Sequence, residues 1–405
     1  MRKWRTALIS SIGLACLLCS LDAKADAGAL KQKIDAVIDQ AIAEDRVVGA
    51  VVLVAQDGKL VYERAAGFAD KESRKPMQRG SLFRLSSVSK PIVTVAALAL
   101  VDRKKLSLDD PVTKWLPDFK PKLADGTTPT ITVRQLLTHT AGLDYKFEEK
   151  VDGPYYKAQI SDGFDDVKIG LAEEMRRLAS VPLLNAPGSQ WRYSLSIDVL
   201  GAVIERAAGQ PLGTAVANLV TKPLGMTGTS FWIDRAQADR LATPYVNAQS
   251  GTARMADPQK IPIGLGVLVY SPSRAFDSKA HASGGAGMIA SAPDVLRLLE
   301  AMRKGGAPVL EKSTADAMFR NQIGGIPGQD PGAGFGFGGA LVVDPAAAKT
   351  PQSAGTLYWG GVYGHSWFVD PARKITVVAL TNTALEGMSG KFPGALRTAS
   401  YEGIQ

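Results

Sequence analysis

The sequence predicts an α/β (α+β) fold in which both ends of the chain build one antiparallel sheet, flanked by helices, around an inserted and mainly helical lobe. Runs rich in β-branched residues occur near both ends of the 405-residue chain, at 49–63 and 340–381. The region between them has helical segments, many Gly and Pro residues and little strand alternation. We therefore expect a sheet domain from residues 26–115 and 280–405, and a mainly helical domain from residues 116–279.

The first elements after the N-terminus are a helix and a hairpin. Residues 29–44 carry apolar side chains on one helical stripe, which predicts an amphipathic helix. Two β-branched runs follow, 49–55 and 60–63, with Asp57-Gly58 between them. Because Asp-Gly between such runs is a strong hairpin signal, we expect an antiparallel pair here.

The later elements follow from periodicity and from capping residues. Thr132 is expected to cap a short helix that Gly142 closes, Gly209 to end a second helix, and Ser291 to cap a third. Helices are predicted over 171–178, 197–208 and 291–303, and strands over 340–343, 358–363, 366–369 and 375–381.

Residues 1–25 have the pattern of a secretory signal peptide. A basic start is followed by the apolar stretch 7–21 and by Ala23-Lys24-Ala25, an A-x-A cleavage site. The apolar stretch is short for a membrane span. We therefore expect an exported chain, periplasmic or secreted, with no stable membrane anchor after cleavage. Cleavage would also remove both cysteines, Cys16 and Cys19, and with them any disulfide.

The composition argues against several classes of function. Forty-five per cent hydrophobic and 21% charged residues are typical of a soluble globular protein. The net charge of +8 is spread without a dense basic block, so nucleic acid is not an expected partner. Three scattered histidines, without a cysteine beyond the signal peptide, predict no metal site. The oligomeric state stays open.

The stretch around which the chain is organised is 83–91, Phe-Arg-Leu-Ser-Ser-Val-Ser-Lys-Pro, followed by the apolar run 92–101. Ser87 and Lys90 form a Ser-x-x-Lys signature, and residues three apart share one helical face. The lysine ammonium can therefore reach the serine hydroxyl. Pro91 is tolerated in a first helical turn, where its missing N–H costs nothing.

Two further polar positions could complete a site for serine acyl transfer. Such a site needs a nucleophile, a nearby base and an oxyanion hole. Tyr193 precedes a predicted helix and could act with Lys90 as the base. The Gly-rich strand Trp359-Gly360-Gly361-Val362 could supply a backbone N–H to the oxyanion and let a substrate approach closely.

With these residues, the chain resembles the serine β-lactamase and penicillin-binding-protein superfamily, in its class C β-lactamase-like branch. Within that branch it is most similar to the family VIII carboxylesterases. Ordered motifs over nearly the whole mature chain carry the resemblance. They are Phe83 to Lys90, Leu136 to Leu143, Tyr193-Ser194 before Asp198 to Gly201, Gly284 to Met288, Trp359-Gly360-Gly361 and Val369-Asp370-Pro371.

The resemblance implies roles for individual residues and needs no cofactor. Ser87 would be the nucleophile, and Lys90 with Tyr193 would take its proton. The backbone N–H groups of Ser87 and Val362 would form the oxyanion hole. The same resemblance places Trp359, Gly360 and Gly361 on the strand beside a bound small-molecule substrate.

Two departures from the superfamily pattern point to the substrate class. Leu195 stands where lactamases and peptidases have the asparagine of Tyr-x-Asn, and Trp359 where they have a strand lysine. The loss of an amide and of a positive charge favours a small neutral carboxylic ester. Two alternatives stay open, a β-lactamase or D-amino-acid peptidase acting on cell-wall-like amides, and a non-hydrolytic sensor that acylates slowly.

The histidines offer a different catalytic pattern, which we weigh separately. We expect His139 to be structural, His281 to be exposed, and His365 to line the cleft with a modest role towards substrate or a proton. The chain contains no Gly-x-Ser-x-Gly motif, which argues against an α/β-hydrolase.

Overall fold

The computed structural model describes residues 28–404. The predicted signal peptide, residues 1–25, therefore lies outside the described residues. The strands are β1 Gly49–Gln56, β2 Lys59–Asp70, β3 Lys75–Pro76, β4 Leu82–Arg84, β5 Tyr245–Ala248, β6 Gly251–Arg254, β7 Gln259–Ile263, β8 Gly266–Tyr270, β9 Ile289–Ser291, β10 Ala333–Phe335, β11 Ala340–Val342, β12 Leu357–Gly361, β13 His365–Asp370 and β14 Ile375–Thr381. The helices are α1 28–43, α2 Ser89–Asp102, α3 Val133–Leu137, α4 Pro154–Lys157, α5 Leu171–Leu178, α6 Ser196–Ala208, α7 Leu212–Val216, α8 Ala292–Arg303, α9 Lys312–Met318, α10 Glu386–Ser389 and α11 Lys391–Gly403.

One eight-stranded antiparallel sheet joins the two ends of the chain. Its order is β10-β11-β12-β13-β14-β1-β2-β3, with β1 from the N-terminal part hydrogen-bonded to β14 from the C-terminal part. The hairpin between β1 and β2 turns at Asp57 and Gly58, both at positive φ, as such a tight turn requires. The predicted fold class is confirmed.

Helices cover both faces of this sheet, and the central strands are apolar on both sides. Val52 and Val377 face α1 and α11, whereas Val51 and Val378 belong to the larger core that α8 and α2 share. The alternation follows the period of two in a strand. The strands that later prove to border the site are thus fixed from both sides.

The inserted region is not built from helices alone. It contains α3 to α7 and also two small hairpins, β5–β6 and β7–β8, which the sequence did not indicate. These strands carry charged, glycine and proline residues, and most positions of β7 are partly or fully exposed. A weak hydrophobic alternation of this kind does not stand out from a loop.

Four predictions of helix ends can be compared with the structure. Thr132 caps α3 with a reciprocal capping box to Gln135, Gly209 ends α6 in the left-handed conformation, and Ser291 caps α8. The prediction that Gly142 closes α3 is wrong. The helix already ends at Leu137, and His139 adopts a left-handed conformation at φ +55°.

Candidate active site

Ser87 lies in a single 3₁₀ turn, Ser86–Val88, that leads directly into α2. The apolar residues of α2 are buried all round from Ile92 to Leu100, which anchors the helix in the core. Pro91 lies in the first turn, as expected, because that position has no intrahelical N–H bond to lose. The turn before a fully buried helix gives Ser87 a fixed position.

The residue before Ser87 is held in a strained conformation. Ser86 has φ +43°, a region that a non-glycine residue rarely adopts. Its hydroxyl donates to the carbonyl of Leu85 at 2.7 Å and accepts the N–H of Tyr363 at 3.3 Å. Strain of this type persists where the surroundings hold it, and it is common at functional sites.

Lys90 is buried beneath Ser87 and uses its three N–H donors on three different acceptors. Its Nζ lies 3.2 Å from the Ser87 Oγ, 2.8 Å from the Tyr145 hydroxyl and 2.8 Å from the Gly285 carbonyl. Only 2% of the side chain surface is exposed. These contacts hold the ammonium on the serine that the Ser-x-x-Lys spacing indicated.

Tyr193 approaches Ser87 from the inserted region. Its hydroxyl donates to the Ser87 Oγ at 2.5 Å, and the Lys90 Nζ lies 4.6 Å from the centroid of its ring. The indole N–H of Trp359 donates to the same tyrosine hydroxyl at 3.4 Å. The side chains of Ser87, Lys90 and Tyr193 are thus arranged so that a proton can move away from Ser87.

Tyr145 is a member of the site that the sequence analysis missed. Its ring is buried, it stacks on Phe147, and its hydroxyl accepts from Lys90. Burial and the neighbouring Tyr193 raise its pKa well above the ordinary value, so it stays protonated. Its one signal was its position two residues after the Leu136 to Leu143 motif.

A buried carboxylate accompanies the buried lysine. Asp198, on α6, accepts a hydrogen bond from the Ser283 hydroxyl at 2.5 Å, and its other oxygen lies against Gly285. Burial raises the pKa of Asp198, while the positive charge of Lys90 acts in the opposite direction. The two groups therefore partly balance each other's charge in a region of low dielectric.

The end of β12 packs directly on the turn that carries Ser87. A Cβ atom added at Gly361 would lie 2.4 Å from the Leu85 carbonyl oxygen and 2.7 Å from the Ser86 hydroxyl. Only a glycine allows this approach. Gly361 therefore contacts the back of the serine turn, whereas Gly360 and Trp359 line the cleft itself.

Replacing Gly361 with alanine is expected to lower the free energy of unfolding by about 1–3 kcal/mol, because the strand and the serine turn must move apart. Urea denaturation of the purified chain measures this loss. Gly80→Ala is the matched control, since no atom lies within 4 Å of a Cβ there. Equal stability of the two variants would contradict the close packing described for Gly361.

Val362 follows β12 and borders the cleft beside Ser87. Its carbonyl accepts from the Tyr270 hydroxyl and from the Leu385 N–H, both at 3.1 Å. Its own N–H has no protein acceptor among residues 28–404. A fixed peptide with a free N–H is what an oxyanion donor requires.

The cleft above Ser87 has a volume of about 550 Å³ and mainly aromatic and aliphatic walls. Two segments whose individual side chains could not be assigned to the pocket from the sequence, 144–190 and 240–280, contribute to it, through Phe147 and Phe164 in the first and Ile263 in the second. Leu195 does not reach the cleft but is buried in the core, so no side-chain amide replaces the missing asparagine.

His365 does not lie where we expected it. It is 1% exposed, it is not among the residues lining the cleft, and its Nε2 lies 2.8 Å from the Arg84 carbonyl, to which it donates. The next residues of β13, Ser366 and Trp367, line the cleft, whereas His365 is covered by Phe83 and by the Arg84 carbonyl. His365 therefore supports the strand that leads to Ser87 from behind.

The other two histidines are buried as well. His139 is structural as predicted, with Nδ1 accepting from the Ser194 N–H at 3.2 Å, and burial keeps its pKa well below the ordinary value. The expected exposure of His281 is wrong, because it is 6% exposed and burial lowers its pKa to about 3. The guanidinium of Arg274 covers it.

The burial of His365 predicts a specific pH dependence of stability. Burial lowers its pKa to about 4, whereas an unfolded histidine has a pKa near 6.5. Below the unfolded value only the unfolded chain takes up the proton, so this contribution to stability is present at neutral pH and is lost as pH falls. The free energy of unfolding of His365→Gln should therefore rise by about 2 kcal/mol relative to that of the parent when the pH is lowered from about 7 to about 5. Urea unfolding of both proteins at the two pH values measures this. The same difference in unfolding free energy between variant and parent at both pH values would contradict it.

Two further properties of residues 28–404 bear on function. None of their helices is long and apolar enough to cross a membrane. No group of three or more His, Cys, Asp or Glu side chains in this part of the chain could hold a metal ion.

Comparison with known proteins defines the class to which this site belongs. The sequence matches the Beta-lactamase family over residues 34–398. It is 53% identical over 380 residues to Esterase EstB of Burkholderia gladioli, covering 93% of this chain and 96% of the relative. The chain therefore belongs to the Beta-lactamase family. It is a β-lactamase-like serine hydrolase, and the resemblance to family VIII carboxylesterases is confirmed.

Solved structures agree with this assignment. EstCE1, described as a hydrolase with promiscuous acyltransferase activity, has a TM-score of 0.90 at 47% identity, covering 93% of this chain and 99% of its own. A simvastatin synthase mutant, LovD6 of Aspergillus terreus, has a TM-score of 0.72 at 23% identity, covering 92% and 94%. At that identity the second match shows the fold alone.

Proposed function

We propose that this chain hydrolyses small carboxylic esters through an acyl-enzyme on Ser87. The observation that carries the proposal is the position of the Ser87 Oγ, between the Tyr193 hydroxyl and the Lys90 Nζ at the base of an apolar cleft. The similarity to two proteins described as an esterase and a hydrolase supports it.

In the acylation step the Ser87 Oγ attacks the ester carbonyl carbon. Its proton passes to the Lys90/Tyr193 pair, through the Tyr193 oxygen that lies 2.5 Å from the Ser87 Oγ. The tetrahedral oxyanion accepts hydrogen bonds from the backbone N–H groups of Ser87 and Val362. When the intermediate collapses, the ester C–O bond breaks and the alcohol leaves with the proton from Tyr193.

Deacylation reverses the roles with water as the nucleophile. Water gives a proton to the same Tyr193 oxygen as the water oxygen attacks the acyl carbonyl carbon. The bond to the Ser87 Oγ then breaks, the serine recovers a proton from Tyr193, and the carboxylic acid leaves. Tyr145, which binds Lys90 and not Ser87, holds the ammonium in place throughout.

The walls of the cleft favour a neutral ester over a lactam or a D-alanyl peptide. Trp359 provides an indole ring where a lysine would bind a carboxylate, and Leu195 is buried away from the cleft. Of the charged residues that line the cleft, Glu148 and Asp330 are acidic and Arg397 is basic, so acidic side chains outnumber basic ones there.

Hydrolysis of p-nitrophenyl butyrate and of nitrocefin by the purified chain tests the proposal. We expect kcat/KM for the ester to exceed that for nitrocefin by at least about 100-fold, since the lactam loses its carboxylate contact. The reverse order would establish a β-lactamase. A stable adduct without turnover on either compound would establish the slowly acylating sensor.

We also propose that the chain is exported. The proposal rests on the basic, apolar and A-x-A segments of residues 1–25. Expression of the full sequence in a Gram-negative host should yield periplasmic protein whose N-terminus is Asp26. Cytoplasmic protein that keeps residues 1–25 would contradict export.

A further inference from the structure

A second, much smaller cavity lies behind the cleft and is lined by two cationic side chains. Its volume is about 20 Å³, and Arg84, Arg274, Ser271 and Tyr363 contribute its polar lining. Phe164 lines both this cavity and the cleft, so one aromatic ring separates the two spaces. The proposed ester hydrolysis makes no use of this cavity.

Arg84 is anchored by backbone carbonyls and not by an acidic partner. Its Nε donates to the Pro272 carbonyl at 2.9 Å and its Nη1 to the Ala242 carbonyl at 3.1 Å. No carboxylate within the described part of the chain lies within 4.0 Å of its guanidinium. Its Nη2 has no protein acceptor among the same residues.

Arg274 has the same kind of environment. Its Nη1 donates to the Asp165 backbone carbonyl at 3.1 Å and its Nη2 to the His281 carbonyl at 2.7 Å. The Asp165 carboxylate is itself paired with Lys146 at 2.9 Å. The Arg274 Nε finds no acceptor within residues 28–404.

The surrounding acids do not neutralise the two guanidinium groups. Burial lowers the pKa of both Arg84 and Arg274, and the carboxylates nearby offset only part of that effect. Asp257, the acid beside this wall, already accepts from the Ser271 hydroxyl and the Ser273 N–H, both at 2.7 Å. Two partly exposed guanidinium groups, each with an N–H that no atom of residues 28–404 accepts, therefore line one small space.

The cavity has room for a single small particle. A volume of about 20 Å³ exceeds the minimum that one water-sized occupant needs, which is about 10–15 Å³, and excludes an organic acid. Tyr363 adds a hydroxyl that has no protein partner among the described residues. We propose that this cavity binds a small monovalent inorganic anion of chloride size, held between Arg84 and Arg274 with the Tyr363 hydroxyl as a third donor.

Occupation of this site would act on the turn that carries Ser87. Arg84 ends β4 three residues before Ser87, and its carbonyl accepts from His365. Tyr363 directly follows Val362, and its N–H donates to the Ser86 hydroxyl. An anion that binds both the Arg84 guanidinium and the Tyr363 hydroxyl would therefore fix the position of the segment before Ser87 relative to the segment that follows β12. These two segments carry the N–H groups of the proposed oxyanion hole.

Bromide anomalous scattering from crystals of the whole chain, grown or soaked in sodium bromide, tests the site directly. We expect an anomalous peak between the two guanidinium groups, and no peak at that position in Arg274→Gln. The measurement does not depend on ester hydrolysis, so it can fail while the proposed function stands. A difference map without bromide at this position in the parent chain would overturn the proposal.

Thermal unfolding supplies a second readout in solution. The parent Tm should rise by roughly 1–3 °C in sodium chloride relative to sodium gluconate at equal ionic strength, because gluconate is too large for the cavity. Arg274→Gln should lose this difference. Tyr363→Phe, which keeps both cations, should reduce it and serves if Arg274→Gln does not fold. Identical Tm values in the two salts for the parent chain would also overturn the proposal.

Discussion

Replacement of Ser87 by alanine is expected to lower kcat/KM for p-nitrophenyl butyrate by at least about 10⁴-fold. The variant loses the Oγ atom that lies within hydrogen-bond distance of both Lys90 and Tyr193. The serine contributes little to packing, so the variant should keep the Tm of the parent within a few degrees. Initial rates with a range of ester concentrations measure the effect.

The matched control is Ser180→Ala, an exposed serine whose hydroxyl donates to a carbonyl in its own turn. It should retain the parent activity. If Ser87→Ala keeps more than about a tenth of the activity while remaining folded, water is being activated without an acyl-enzyme, and the proposed mechanism is wrong.

Replacement of Tyr193 by phenylalanine is expected to lower kcat/KM by about 10³-fold, the usual range for loss of a general acid–base group. The change removes one oxygen, which lies 2.5 Å from the Ser87 Oγ, and preserves the ring that packs against His139 and Trp359. Steady-state kinetics with the same ester measure the loss, together with the pH dependence of the residual rate.

Tyr145→Phe is the informative comparison because it removes the same atom from the neighbouring buried tyrosine. That hydroxyl contacts Lys90 and not Ser87, so a loss of only about 10-fold is expected, the size of one hydrogen bond to a charged group. If both variants lose the same factor, Tyr193 has no special part in proton transfer. If Tyr145→Phe loses more, the roles of the two tyrosines must be exchanged.

The sequence predicted those parts of the site that depend on local spacing. Ser87 and Lys90 are three residues apart at the start of an apolar helix, so their contact follows from helical geometry. The antiparallel sheet followed from β-branched runs and an Asp-Gly turn, and β14 begins and ends where we predicted. Each of these features is encoded within a few neighbouring residues.

The sequence did not predict contacts that depend on packing between distant segments. Tyr145 approaches Lys90 only because the loop after α3 folds back beside α6, and no spacing along the chain encodes that path. His365 was expected in the cleft because it follows the Trp-Gly-Gly strand. Its side chain lies on the same face of the sheet as Trp367 but is covered by the segment before Ser87, through Phe83 and the Arg84 carbonyl, and only packing between distant segments decides this.

The preference proposed here for an ester over a lactam depends on Trp359 and Leu195, and Trp359 is the one that lies in the cleft. Trp359 lies beside Tyr193, with the ring centroids 5.1 Å apart, and donates its N–H to that tyrosine. A lysine at this position would bring a second cation next to Lys90. The indole therefore makes the wall of the cleft apolar and also contributes a hydrogen bond to the proposed base.

Rapid acid quench of the chain during turnover of p-nitrophenyl butyrate, followed by peptide mapping with mass spectrometry, tests the central claim most directly. We predict a mass increase equal to one butyryl group on the peptide that contains Ser87, absent in Ser87→Ala and accumulating further when deacylation is slow. Full ester turnover with no acylated peptide at any quench time, or with the acyl group on another residue, would contradict an acyl-enzyme on Ser87.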